Sequence, residues 1–318
     1  MMELLMLSHP EVNPRARRAL LTAFGRDGWR VVEARPERVW IRIRSGRVDV
    51  HVDGLERCPD AVVGRTVARY LDVLRPAFQL WQEAGVVVLN GGWAQRVGRD
   101  KVATGLALAA AGVPTVDTVG LLPDVAGLAM SAGDAAPDLP PGTGVLKPAR
   151  GHSGDLVTRV ADGGAAVGAF WQAMGSRATT TAVEAVVAQP LVVGDGDVRA
   201  YVVAGELAGL MRRRPGADAE WRANARLGAV CEPLPLSHPG ADLAVRAVAA
   251  LGLDAAGVDL IGPDDDLRVL EVDGWAGFDH LDAVTGADVP GRISAYLRRA
   301  VGAKQDRGRD DPGERSGE

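Results

Sequence analysis

The chain has 318 residues, 47% hydrophobic and 24% charged, with a formal net charge of -5. That composition suits a folded chain with room for two or three domains, and excludes a disordered one. The acidic balance offers nucleic acid no basic field, two cysteines make no disulfide framework, and no run nears the ~18 apolar residues of a membrane helix.

The start, Met1 to Ser8, has no basic flank and reads as a strand rather than a targeting segment. With so few cysteines, the reducing cytoplasm is the expected compartment. Leu4 to Leu7 is a predicted strand, and Pro14 opens a predicted helix that runs to about Arg26. Arg30 to Ala34 is a second strand. Ile41 to Val52 alternates apolar and polar residues around Ser45-Gly46, the pattern of a hairpin. A strand at Ala61 to Val63, a helix at Val67 to Ala84 and a strand at Val86 to Leu89 follow. Strands alternating with helices imply a parallel sheet.

A second region begins near Arg99. Val102, Leu106 and Ala109 share a helical face, and Gly112 with Pro114 ends that helix. Residues 131–143 read as a loop. Val145 to Lys147 and Leu156 to Val160 then form a hairpin. The third region runs through strands Val186 to Val192, Asp197 to Val203 and Leu207 to Met211, and a helix at Asp242 to Leu251. It ends with strands Ala256 to Ile261 and Leu267 to Val272 and a helix at Ile293 to Val301. The expected units are 1–97, 98–185 and 186–302, with 303–318 a disordered tail because it has no apolar residue beyond Ala303.

The most informative stretch is Gly257-Val258-Asp259-Leu260 followed by Leu270-Glu271-Val272-Asp273. Glu271 and Asp273 stand two apart and share a strand face. A four-residue turn, Pro263 to Asp266, would set Asp259 opposite residue 270, and a turn one residue longer would set it opposite Glu271. Three carboxylates on one face repel unless a cation lies between them, and their oxygens suit Mg²⁺. The alternative is a surface hairpin whose acids face water. Asp264, Asp265 and Asp266 are the polar tip of a turn.

Lys147 ends a strand before Pro148-Ala149-Arg150-Gly151-His152-Ser153-Gly154, a turn rich in backbone N–H groups that could cradle phosphate. Lys101, at a helix start, reads as a surface lysine. Arg212-Arg213-Arg214 and Trp221-Arg222-Ala223-Asn224 supply guanidinium groups for phosphate or carboxylate, or a solvated basic loop.

Six motifs in order resemble the RimK-like branch of the ATP-grasp superfamily. They are Asp197-Val198-Arg199, Arg213-Arg214, Trp221 to Asn224, Gly257-Val258-Asp259, Glu271-Val272-Asp273 and Thr285-Gly286-Ala287-Asp288-Val289. The resemblance covers about residues 99–300. It implies an α/β (α+β) ATP-grasp fold, with an N-terminal α/β unit before two α+β subdomains that clasp ATP. It assigns ATP phosphates to Lys101 and Lys147, and adenine to a hinge of Gln189, Pro190 and Leu191. Asp197 would contact the nucleotide, and Arg222, Ala223 and Asn224 its phosphates. Mg²⁺, or Mn²⁺ in its place, would be held by Asp259, Glu271 and Asp273.

The implied reaction joins a small-molecule or peptide carboxylate to an amine, such as an amino acid, through an acylphosphate, with Arg222 catalytic. Arg150, Arg212, Arg213 and Arg214 would meet an acidic substrate. Neither nucleic acid nor membrane is an expected partner, and a homo-oligomer, dimer or tetramer, is. A non-catalytic nucleotide-binding subunit and a small-molecule kinase are the rival functions. The chain departs from the family pattern in three places, one being a short phosphate loop, Gly151 to Gly154. Asp273 stands where asparagine is usual, and Gly274-Trp275-Ala276-Gly277-Phe278 replaces a Pro-Gly turn.

Overall fold

The computed structural model describes residues 1–11, 13–65, 68–121, 144–151, 156–161, 170, 185–216, 221–225 and 228–310. The expected loop at 131–143, His152 to Gly154 of the expected phosphate turn, and Arg226 lie outside them.

The N-terminal part is a parallel sheet. Strand β1 (Glu3–Ser8) is buried along its whole length, as a central parallel strand should be. Helix α1 (Pro14–Arg26) is capped by the Asn13 side chain, which accepts from the Ala16 N–H, and it buries Ala16, Leu20, Ala23 and Phe24. Then come β2 (Arg30–Ala34), the hairpin β3 (Val39–Arg44) and β4 (Arg47–Val52), β5 (Ala61–Arg65), α2 (Ala68–Glu83) and β6 (Val87–Val88). The sheet order is β2-β1-β5-β6, all parallel. The hairpin β3-β4 pairs only with itself among the described residues. It turns at Ser45 and Gly46, both at positive φ, the two-residue turn that matches strand twist. Because β1 is followed to one side by β2 and to the other by β5, the sheet's switch point lies between their carboxyl ends, where Ser8 is paired with Arg65.

Helices α3 (Gly92–Val97) and α4 (Lys101–Ala110) lead into a second, antiparallel sheet. Its strands are β7 (Val119–Leu121), β8 (Gly144–Pro148), β9 (Thr158–Val160) and β10 (Val186–Pro190), in the order β7-β10-β8-β9. Leu146 and Ala188 face a small core with Leu121, Val186 and Phe170, so strand alternation sends Val145, Lys147 and Gln189 to the other face.

The third sheet, also antiparallel, is ordered β13-β12-β11-β14-β15. It comprises β11 (Asp197–Val203), β12 (Glu206–Arg214), β13 (Val230–Leu234), β14 (Ala255–Ile261) and β15 (Arg268–Asp273). Helix α5 (Gly240–Ala250) covers one face over a core that includes Val198, Ala200, Leu210, Val258, Leu260 and Val272. Helices α6 (Asp279–Thr285) and α7 (Val289–Asp310) belong with the opposite face. Helix α7 continues to Asp310, so residues 303–310 are helical where a disordered tail was expected, and 311–318 lie outside the described residues. Lys304 donates to the carbonyls of Gly85 (3.1 Å) and Val86 (3.4 Å), so this polar last stretch is tied to the N-terminal part.

Asn90 holds the N-terminal part to the third sheet. Buried and at positive φ, it donates from Nδ2 to the carbonyls of Ala255 (2.8 Å) and Gly274 (2.7 Å). Its Oδ1 accepts from the N–H groups of Asp254 and Ala255, and its own N–H donates to Asp254.

Candidate functional site

Alternation along the third sheet selects which side chains enter its cleft. Asp197 and Arg199 alternate with the buried Val198 and Ala200 on β11. Arg213 lies opposite Asp197 on β12, so it shares their face, while Arg212 and Arg214 point the other way. On β14, Asp259 lies opposite Arg199. Gly257, two residues earlier, has no room for a side chain, since a Cβ there would sit 2.5 Å from Ala276 Cβ and 3.2 Å from Arg199 Cζ.

The register of the acidic hairpin combines the two alternatives read from sequence. Near the turn, Ile261 pairs with Arg268 and Leu260 with Val269, as the short turn demands. A bulge then inserts Leu270, and beyond it Asp259 pairs with Glu271 and Gly257 with Asp273. Leu270 and Glu271, though adjacent, both reach the cavity.

Between the second and third sheets lies a cavity of about 420 Å³. Of the residues singled out in the sequence, Lys101, Lys147, Gln189, Pro190, Leu191, Asp197, Arg213, Arg222, Ala223, Asn224, Asp259, Glu271 and Asp273 line it. Arg150, Arg212 and Arg214 are not among its lining. Arg150 Nε is 3.4 Å from Asp100, Arg212 pairs with Asp264 at 2.7 Å, and Arg214 pairs with Asp195 and Glu232. Asp264 therefore holds a strand arginine as well as ending a turn. The sequence reading left out Arg199 and the apolar walls Val145, Val192, Ile261 and Leu270.

The two lysines arrive from different elements. Asp100 caps α4, accepting from the Val102 and Ala103 N–H groups, and so sets Lys101 at the helix start. The Lys101 N–H donates to the Ala149 carbonyl, while Nζ donates to the Gly151 carbonyl and lies 3.3 Å from Glu271. Lys101 is thus a bridge between the second and third sheets and not a plain surface lysine. Lys147 is buried on β8, and burial pulls its ammonium down to about 8, against the opposing charges of Glu271 and Asp259. On β10, two residues beyond the partner of Lys147, the Gln189 side chain donates to Thr118 Oγ1 at 2.9 Å, which pins the strand before Pro190 and Leu191.

A buried charge network lines the floor. Arg213 makes two parallel bonds of 2.7 Å to Asp197 and reaches Asp259 at 2.9 Å, and Arg199 holds the same Asp259 oxygen at 2.6 Å. Burial opposes charge on Asp259, but the two guanidinium groups outweigh it and hold the carboxyl below its usual range. Burial pushes Asp197 up to about 6 against the pull of Arg213, which keeps its proton. Asp273 is raised, first by burial and then by the charge of Glu271, while the Trp275 N–H donates to it at 2.8 Å. Arg199 and Arg213 thus offset the charge of Asp259, so repulsion among the three acids does not by itself demand a cation there. Among the described residues no three His, Cys, Asp or Glu side chains form a metal-binding group. Glu271 and Asp273 remain, and two carboxylates are what Mg²⁺ commonly takes beside substrate phosphates.

Residues 169–297 match the model of the RimK-like ATP-grasp domain. A curated protein of Thioalkalivibrio sulfidiphilus (strain HL-EbGR7), named "Probable alpha-L-glutamate ligase", is 28% identical over 89% of this chain and 91% of its own length. Among solved structures, that of the ATP-grasp ligase PsnB with a minimal precursor superposes with a TM-score of 0.67 at 19% identity, over 94% of this chain and 99% of the other. The D-cycloserine synthetase DcsG gives the same values. The D-alanine–D-alanine ligase of Bacillus anthracis complexed with ATP gives 0.64 at 14%, over 98% and 100%. These structural likenesses establish an ATP-grasp fold, and within it residues 169–297 match the RimK-like ATP-grasp domain.

Proposed function

We propose that this chain uses MgATP to join a carboxylate to an amine, with an amino acid as one substrate and a small molecule or peptide as the other. The observation that carries the reading is the cavity itself. It brings Lys101, Lys147, Glu271 and Asp273 together with the apolar walls Val145, Pro190, Leu191, Val192 and Leu270. That is room and chemistry for an adenine ring and for phosphates. Glu271 and Asp273 would hold Mg²⁺, which when bound supplies neutralisation of phosphate charge.

The residues' own work is positional. Gln189, tied to Thr118, sets the strand whose Pro190 carbonyl and Leu191 N–H meet the base. Lys101, Lys147 and Arg222 grip phosphate oxygens, and Asp197 fixes Arg213 beside them. A substrate carboxylate oxygen attacks the γ-phosphorus, ADP leaves, and an acylphosphate forms. The amine then attacks its carbonyl carbon, sheds a proton to solvent, and expels inorganic phosphate. Arg222 stabilises the negative oxygen of the tetrahedral centre. The name of the curated relative makes glutamate the first amino acid to try.

The test is release of ADP and phosphate from MgATP across a panel of carboxylates and amines, with masses of the products. Turnover that requires both partners and yields a product one water lighter than their sum supports the ligase. A stable phosphorylated product without an amide would support the kinase instead. Nucleotide binding without turnover across the panel would favour the non-catalytic subunit.

A further inference from the structure

The five residues after Asp273, bulkier than the Pro-Gly turn of the family pattern, are gripped from the N-terminal sheet. Arg65, the last residue of β5, stands at the switch point and is buried. Its Nη1 donates to the Trp275 carbonyl at 2.9 Å and its Nη2 to the Ala276 carbonyl at 3.0 Å. Its guanidinium lies 5.3 Å from the centre of the Phe278 ring, which is itself packed edge-on against Tyr201. Trp275 packs against the N-terminal core, and Asn90 holds the Gly274 carbonyl. The same Trp275 residue whose carbonyl Arg65 holds gives its N–H to Asp273 Oδ1. Among the described residues Arg65 makes no ion pair within 4 Å; it contacts two carbonyls and a ring face, and its charge also reaches Asp273 from farther off.

A buried guanidinium without a carboxylate is costly unless the groups it orders matter. Here it orders a peptide that aims one carboxylate. Second-layer contacts of this kind set the orientation of metal-binding carboxylates, and their loss typically costs about 10- to 100-fold in metal affinity.

We infer that Arg65 is a positioning residue for the metal seat: through the Trp275 peptide it sets the orientation of Asp273, so the N-terminal sheet helps build the divalent-cation site of the third sheet. This rests on the assignment of Glu271 and Asp273 as the cation's holders, and the experiment separates the two. Mn²⁺ binding to the full-length chain with ADP is measured by electron paramagnetic resonance for wild type, Arg65→Gln, Arg65→Lys and Asp273→Ala. ADP binding without metal and thermal unfolding are followed in parallel.

Arg65→Gln should weaken Mn²⁺ binding about 10-fold or more while metal-free ADP affinity stays within about twofold. Arg65→Lys, which keeps the charge but cannot span both carbonyls, should fall in between, and it serves if the glutamine variant does not fold. Mn²⁺ affinity that stays at the wild-type value in Arg65→Gln or Arg65→Lys, with Asp273→Ala impaired, overturns the positioning role alone. Losses in Mn²⁺ and metal-free ADP affinity of equal size would also overturn it, since that is general damage. If Asp273→Ala binds Mn²⁺ as wild type does, the metal assignment itself fails.

Discussion

Replacing Lys147 with methionine should make the ligand-free protein more stable while weakening its hold on nucleotide. Lys147 is 5% exposed, and burial draws its ammonium from a lysine's ordinary 10.5 to about 8. Each pH unit of displacement corresponds to ~1.4 kcal/mol, so the charged lysine burdens the folded state by on the order of 3 kcal/mol. The sign follows from proton counting. Below about pH 8 both folded and unfolded chains carry the proton, and the full burden applies. Between about 8 and 10.5 the unfolded chain binds more protons, so stability rises with pH. Above that interval the burden is gone.

Methionine keeps the length of the stem without the charge. At pH 7 the variant should therefore be more stable by on the order of 3 kcal/mol, with the gap closing toward pH 10. Urea unfolding at pH 7, 8, 9 and 10 reads this directly, provided the denaturant slope is unchanged. Titration calorimetry at pH 7 should show MgATP affinity down about tenfold or more, as for a lost charge-assisted contact. A variant less stable than wild type at pH 7, or a gap indifferent to pH, refutes the buried-charge reasoning. Undiminished MgATP affinity refutes the phosphate role.

Arg213→Met leaves Asp197 and Asp259 short of a shared guanidinium, and should cost about 3–5 kcal/mol at pH 7. Burial holds Asp197 near 6 even against the pull of Arg213, so in the variant the stranded carboxyl takes its proton above that value and the deficit should shrink as pH falls, which unfolding at pH 5 and pH 8 would show. Asn90→Ala removes bonds to the carbonyls of Ala255 and Gly274 and from the N–H groups of Asp254 and Ala255. A loss of about 3 kcal/mol or more is expected in a denaturant melt, since buried groups are left unpaired. Glu271→Ala should remain folded by circular dichroism yet lose Mg²⁺-dependent ADP release, and turnover near the wild-type rate would remove Glu271 from the metal seat. Asp273 is held high by burial and by Glu271, so metal affinity should fall on the acid side as Asp273 protonates. Asp273→Asn should lose that limb of the profile.

Long alternating or wholly apolar segments were legible in the sequence because their burial pattern is local. Strands β1, β11 and β14 and the hairpin at Ser45-Gly46 lie where alternation and turn chemistry put them. The short elements were not. Strand β7 has three residues and no room for a pattern, and β13 carries Pro233, which suits an edge strand but reads as a breaker. The arginines show the same division. Treating Arg212 to Arg214 as one basic group missed that neighbouring strand residues face opposite ways. Counting by twos from Asp197 would have brought Arg199 into the site, and the paired register brings Arg213. Long-range partners have no local signal at all: Lys101 meets Glu271, and Arg65 meets Trp275, across stretches that only the fold closes.

The extra residue at Leu270 works as a frameshift in the strand's two-residue reading frame. Before it, the hairpin is in the frame dictated by the turn at Pro263 to Asp266, and after it, in the frame that faces Asp259 with Glu271. One strand can thus present a greasy contact and an acid to the cavity in consecutive positions. The turn and the acids are also uncoupled. Excising Leu270 alone would straighten the ladder, with Leu260 still opposite Val269 and Asp259 still opposite Glu271, and would take away the apolar contact while leaving the acids on the cleft face. The facing of the acids therefore depends on the pairing of Asp259 with Glu271, and the bulge adds an apolar contact beside them without altering it.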